Sequence, residues 1–355
     1  MTMPEQMSGV LLVAHGGPEA LVWSDTITVP RPRSGEALIR IAAAGVNNTD
    51  INTRTGWYSS DISGPTQEGQ SAENGGWAGA LDFPRIQGAD LCGYVVALGE
   101  STSGLALGCR VICPTNQARP SADNPFGFVA IGSEYDGAFA QFCCVPVDQL
   151  YDVTASPLSH IELAAVPCAF GTAANLLSRA GASAGSRILV TGASGGVGLA
   201  AVALAKALGA KIKGICAAAK AVAVGQAGAE ATIARGEALP KDSFDIVIDV
   251  VGGPGWMALI DSLKPGGHYA VSGAIAGPIV EADLRRIYLR DITLHGCTYQ
   301  PPEVFAALVD MINAGQVRPL VSKTYPLREI GAAQADFMSK TYPGKLVLIP
   351  PEIPQ

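Results

Sequence analysis

Arg187-Ile-Leu-Val-Thr-Gly-Ala-Ser-Gly-Gly-Val-Gly-Leu-Ala-Ala201 is the stretch that decides how this chain folds. An apolar run enters a glycine-rich turn, and an Ala/Leu-rich helix opens behind it. Glycines at 192, 195, 196 and 198 permit a tight turn and leave no Cβ between the backbone and an approaching diphosphate. The helix N-terminus offers free N–H groups and the positive end of its dipole to that anion. A glycine turn can also pack a helix onto a sheet without any ligand. Its place between a strand and a helix favours the phosphate cradle.

Outward from this turn, strand and helix patterns alternate. Apolar runs at Ile188–Thr191, Lys211–Cys216, Phe244–Val251, His268–Ser272 and Ile292–Gly296 read as strands. Helices are expected from the turn to Leu208, near Lys220–Ala227, over Gly255–Leu263 and over Glu303–Ala314. Strands buried on both faces with crossover helices describe a doubly wound parallel sheet. The part before Leu163 reads instead as β-rich, with short runs at Gly9–Ala14, Ala37–Val46, Gly93–Gly99, Arg110–Cys113 and Ala138–Val145 between Pro/Gly turns. Two polar stretches, 59–84 and 114–135, read as long loops of the kind that form lids or insertions. Lys345–Ile349 is expected to return to the first sheet.

Composition narrows the function. A chain of 355 residues implies two domains, read here as 1–160 with 300–355, and 161–299 between them. With 24 basic and 31 acidic side chains the net charge is −7, and no Lys/Arg cluster occurs, which argues against nucleic acid and anionic membranes as partners. Lysines at 206, 211, 213 and 220 interrupt the one long Ala/Val-rich region, so no membrane span is read. Eight scattered cysteines without any C-x-x-C read as reduced thiols, and a cytoplasmic location is expected.

Several motifs in one order make the chain resemble the medium-chain dehydrogenase/reductase superfamily, in its zinc-independent, quinone oxidoreductase-like branch. They are Gly45-Val-Asn-Asn-Thr-Asp50 with Arg54 and Gly56, Gly88-Ala-Asp-Leu-Cys-Gly93, Asp136-Gly-Ala-Phe-Ala140, the 192–198 turn, Asp245–Gly253, Leu263-Lys-Pro-Gly-Gly267 and Gly344-Lys-Leu-Val-Leu348. The resemblance implies a Rossmann nucleotide domain, a β-rich GroES-like catalytic domain and a homodimer. In zinc-dependent relatives a Cys, a His and a further Cys or acid hold the metal. Here the first falls on Asn47 and the second on Ala89, with Asp90 in the acid's place, and only Cys168 remains. One thiolate cannot supply the three ligands of a catalytic zinc, so no metal is expected. Cys168 is then a packing residue near the nicotinamide or a reactive thiol.

The resemblance further implies NADPH as cofactor, held by Thr172, Ser194, Gly195, Gly196, Val197, Cys216, Lys220, Arg235, Val251, Gly273, Ile275 and Lys345. After Cys216 the chain reads Ala-Ala-Ala-Lys220, without the carboxylate that an NAD site sets on the ribose 2′-OH. Lys220 is the candidate for the extra phosphate, with Arg235 beside it; an ordinary solvated lysine is the other reading. Without a Lewis acid, hydride transfer to quinones or α,β-unsaturated carbonyls is favoured, because charge then develops on a conjugated oxygen that hydrogen bonds can stabilise. Asn47, Thr49 and Tyr58 are the candidate catalytic donors, with a turn-forming Asn47 and a pocket-wall Tyr58 as alternatives. Asn52 stands where relatives carry a relay His or Tyr. Asp50 and Arg54, four apart, are expected to form a helical ion pair. His15, His160, His268 and His295 show no metal spacing. Trp57, Trp77, Phe126 and Phe128 suggest a small apolar or aromatic carbonyl or quinone substrate, with hinge packing as the other reading. A zinc-free alcohol dehydrogenase or carbonyl reductase, and an NADPH-binding protein of low turnover, are the rival readings.

Overall fold

The computed structural model describes residues 3–66, 77 and 79–353, which divide into two units. One takes the described residues of 63–69 and 169–304, the other those of 1–62, 70–168 and 305–355.

In the unit around 169–304, six strands form one sheet. Its order is Ala231–Ala234, Lys211–Cys216, Arg187–Val190, Phe244–Asp249, Leu263–Val271 and Thr293–Gly296, and every neighbouring pair is parallel. Ile188, Leu189, Val190, Val247 and Ile248 have no exposed surface, as a sheet covered on both faces requires. The chain leaves Arg187–Val190 toward one edge and returns on its other side at Phe244–Asp249. The winding therefore reverses between these two strands, and this is the switch point of a Rossmann sheet. At the turn, Gly192 has φ +54°, and a Cβ on Gly198 would lie 2.2 Å from the Gly192 carbonyl oxygen. These two glycines let helix Gly196–Ala207 start directly against the strand end.

The other unit is built around strand Glu36–Gly45. It pairs antiparallel with Cys92–Leu98, with Phe142–Pro146 and with the late strand Lys345–Ile349. Beyond these lie Val321–Pro326 on one side and Arg110–Ile112 and Tyr151–Asp152 on the other, giving seven strands. Alternating apolar side chains fill the interior, where Ile39, Leu91, Phe139 and Leu348 are fully buried. The return of Lys345–Ile349 to this sheet brings residue 347 beside residue 45.

Several elements differ from the sequence reading. Leu21–Thr28 is a strand paired with Gln6–Leu12; its half-exposed, polar composition hid it. Within the expected 114–135 loop, Asn116–Ala118 and Phe128–Ala130 form a small antiparallel pair, too short to carry an alternation signal. Of the 59–84 stretch, residues 67–76 and 78 lie outside the described residues. The neighbouring described ones form no helix or strand. Among the described residues, no helix is long and apolar enough to cross a membrane.

Candidate active site

The segment after strand Glu36–Gly45 turns at once into helix Asn48–Thr55. Asp50, at the third helical position, reaches back to accept the Asn47 N–H at 2.8 Å, and its other oxygen accepts the Ala89 N–H at 3.1 Å. Main-chain donors thus capture this carboxylate, and the expected Asp50–Arg54 ion pair does not form. Arg54 instead donates to the Gly16 carbonyl at 2.7 Å and to Gln334 Oε1 at 3.1 Å. Burial pushes the Asp50 carboxyl up to about 7; the Asp90 charge adds to this, while the Asn47 and Ala89 hydrogen bonds and Lys345 oppose it.

Asp90 has no exposed surface. Its Oδ1 accepts the Cys168 N–H at 2.6 Å. Its Oδ2 accepts Asn47 Nδ2 at 2.8 Å and Lys345 Nζ at 2.7 Å. Lys345, only 3% exposed, also donates to the Val46 carbonyl at 3.0 Å and to Asn47 Oδ1. Of the positions matched to the zinc motifs, 47, 90 and 168 come together, as an amide, a carboxylate already paired with an ammonium, and a thiol, while the histidine's position, 89, is alanine. Burial, with the Asp90 charge second, pushes the Cys168 thiol up to about 12, so it is not a ready thiolate ligand. Among the described residues, no three His, Cys, Asp or Glu side chains gather as a metal site. This donor set does not fit a catalytic zinc. The ammonium of Lys345, placed by the sequence among cofactor contacts, is turned into this cluster. Both ends of the Asn47 amide are likewise engaged here.

Thr49 and Tyr58 are joined by a hydrogen bond of their own. Thr49 Oγ1 and the Tyr58 hydroxyl are 2.8 Å apart, and Tyr58 also engages Asn52, which accepts from Asn48 at 3.1 Å. The Tyr58 ring stacks on Trp77 at 5.8 Å and meets Trp57 edge-on at 5.6 Å. Trp77 in turn meets Phe128 at 6.0 Å. Burial holds the phenol protonated, raised to about 12, although the Thr49 and Asn52 hydrogen bonds work against this. The arrangement is a neutral O–H donor set in an aromatic wall.

In the other unit, Gly195 caps helix Gly196–Ala207 without any side-chain hydrogen bond, leaving its N-terminal amides available to an anion. Ser194 and Val197 flank that cap. Thr172 sits on helix Pro167–Arg179, where Gln300 Nε2 grips the Gly171 carbonyl and Asn175 Nδ2 grips that of Tyr299, each at 3.0 Å. Cys216 closes its strand, buried. Past it, the Lys220 ammonium is depressed by partial burial and then by the charge of Arg235. The Ala276 N–H donates to the Val251 carbonyl at 2.9 Å, which draws the loops bearing Val251, Gly273 and Ile275 together. The glycine turn, the helix start without a side-chain cap and the Lys220 and Arg235 cations fit a dinucleotide. Sequence reading missed Asp249 and Tyr269, whose hydroxyl donates to that carboxylate at 2.5 Å. It also missed the pairing of His268 and His295, 2.9 Å apart on adjacent strands. Neither contact leaves a local spacing signal.

Comparison with known proteins identifies the family. A family model for the alcohol dehydrogenase GroES-like domain matches residues 33–155, and one for zinc-binding dehydrogenases matches 219–348. The chain is 28% identical to acryloyl-coenzyme A reductase of Metallosphaera sedula, over 90% of this chain and 93% of that protein. It is 27% identical to quinone oxidoreductase of Mus musculus, over 97% and 98%. A crystal structure from Sinorhizobium meliloti 1021, assigned provisionally to the alcohol dehydrogenases, is 38% identical, covers 98% of both chains and superposes with a TM-score of 0.88. The chain therefore belongs to the medium-chain dehydrogenase/reductase superfamily, as a quinone oxidoreductase-like oxidoreductase that binds a nicotinamide dinucleotide.

Proposed function

We propose that this protein is an NADPH-dependent reductase of quinones or α,β-unsaturated carbonyls that works without zinc. The observation carrying the proposal is the buried Lys345–Asp90–Asn47 cluster, in which an ammonium satisfies the carboxylate that a metal would otherwise need. The quinone and acryloyl-coenzyme A reductases among the relatives support the substrate class. When bound, the nicotinamide supplies the hydride. The protein's part is to present donors where negative charge develops on the acceptor oxygen. Thr49 and Tyr58 are the assigned donors: the phenol holds its proton through the physiological range, and Thr49 orients it. The Trp57, Tyr58, Trp77 and Phe128 rings favour a flat, apolar acceptor. A zinc-free alcohol dehydrogenase is the second reading, favoured by the Sinorhizobium meliloti structure. All eight cysteines are free thiols, which suits the cytoplasm.

A homodimer is part of the proposal. Thr293–Gly296 is an edge strand, and Leu294 is 46% exposed. Ile279, Leu284, Tyr288 and Leu289, which precede it in the chain, are each more than 60% exposed. A free edge with apolar surroundings suits two-fold addition of the same strand from a second copy.

Purified protein should reduce enones or quinones with NADPH, at rates that a chelator leaves unchanged and with no stoichiometric metal. Turnover confined to simple ketones would favour the alcohol dehydrogenase reading, and firm NADPH binding with no turnover a binding protein. Lys220→Ala should raise the Kd for NADPH about tenfold and leave that for NADH near the wild-type value; tighter binding of NADH by the wild type would refute the NADPH assignment. Lys345→Met should lower stability by about 3–5 kcal/mol in urea unfolding, because it leaves Asp90 buried without its cation. Adding Asp90→Asn should recover part of that loss, and an unchanged midpoint in the single variant would count against the cluster. Sedimentation should give twice the chain mass, and Leu294→Asp should give monomer; a monomeric wild type would remove the dimer.

A further inference from the structure

A third buried carboxylate, after Asp50 and Asp90, lies in the nucleotide unit, outside everything the proposed reaction uses. Asp249 ends strand Phe244–Asp249 and has no exposed surface. Its Oδ1 accepts from Thr191 Oγ1 at 2.6 Å and from the Val251 N–H at 2.8 Å. Its Oδ2 accepts the Tyr269 hydroxyl at 2.5 Å, and the Gly252 N–H lies 3.3 Å from both oxygens. These partners are four donors, with no cation among them.

The donors come from three adjacent strand ends. Arg187–Val190 and Phe244–Asp249 are the neighbours between which the winding reverses. The Thr191–Asp249 hydrogen bond therefore spans the crevice that receives the nucleotide in a doubly wound sheet. Thr191 Oγ1 also accepts the Val250 N–H at 3.1 Å, so one hydroxyl holds both sides of the crevice. The next residue is Gly192, where a Cβ would lie 3.2 Å from the side chains of Val250 and Val251. The glycine turn thus rests on the 250–253 turn. From the third strand, Tyr269 is 3% exposed and packs edge-on against Trp256 at 5.9 Å. The Gly253 N–H donates to the Gly277 carbonyl at 3.1 Å, so the loop after that strand joins the same assembly.

We infer that Asp249, fixed by Tyr269 and Thr191, is a positioning residue for the dinucleotide: it sets the spacing between the glycine turn and the 250–253 turn. The carboxylate touches no reacting atom. It converts three loop ends into one rigid floor, so the amides that face the diphosphate are in place before binding. The inference rests on dinucleotide binding by this fold and is independent of any preference for NADPH.

The test is fluorescence titration of the wild type and three variants with NADPH and with NADH, alongside thermal unfolding of each protein free of cofactor. Tyr269→Phe keeps the ring against Trp256 and removes the hydroxyl that donates to Asp249 and also bonds the Trp256 indole. It should raise both Kd values by the same factor, about fivefold or more, with the unfolding midpoint of the free protein little changed. Thr191→Val should act in the same direction, and Thr191→Ser, which restores a hydroxyl, should return to within about twofold of wild type. If Thr191→Val fails to fold, Tyr269→Phe carries the comparison; if both fail, Asp249 serves folding and the inference is overturned. Dinucleotide affinities within about twofold of wild type in both Tyr269→Phe and Thr191→Val also overturn it, as does a Thr191→Ser protein as impaired as Thr191→Val. A wild type that binds neither dinucleotide removes the cofactor reading itself and this inference with it.

Discussion

An ammonium and a carboxylate, both almost wholly removed from water, hold the catalytic unit's centre together: Lys345 and Asp90, 2.7 Å apart. Taking two charges out of water costs several kcal/mol each, and their attraction offsets this only where every remaining donor and lone pair is used. Here they are used, by the Val46 carbonyl, both ends of the Asn47 amide and the Cys168 N–H. That requirement explains the residues around it. Position 45 is glycine because a Cβ there would lie 2.4 Å from Asp90 Oδ2 and 2.6 Å from the Ala164 carbonyl oxygen. Asn47 is an amide because one neighbour donates and the other accepts.

The nucleotide unit solves a related problem by another route. Asp249 is as deeply buried as Asp90, yet neutral hydroxyls and main-chain amides surround it. An ion pair localises compensation at one partner. A ring of neutral donors spreads it over three strand ends, so geometry is shared among them. The first arrangement lies where strands Glu36–Gly45 and Lys345–Ile349 meet, and the second lies beneath a turn suited to phosphate.

The sequence made much of this legible where the signal was local. The strand, glycine turn and helix at 187–207 can be read because all their determinants lie within twenty residues. The strand Lys345–Ile349 was readable from its apolar run. The Lys345–Asp90 pair was not, since its partners stand 255 residues apart. Local spacing misled for Asp50 and Arg54: four residues apart on a helix is a valid pairing distance, but unpaired main-chain N–H groups at the helix start were nearer to the carboxylate. Tyr269 stands within an apolar strand, and only strand order places its hydroxyl on Asp249. The Thr49–Tyr58 contact bridges a helix and the turn after it, where neither period applies.

The sequence separation between Asn47 and Lys345 has a consequence for synthesis. A ribosome releases Asn47 and Asp90 early, and the lysine that neutralises the carboxylate 298 residues after Asn47. The whole stretch from 169 to 304 emerges in between and contains its own complete sheet. On the nascent chain, the nucleotide unit can therefore mature first, while Asp90 of the other unit stays in water until Lys345 arrives. The order of translation thus makes the later-encoded strand a latch that closes the earlier-encoded domain.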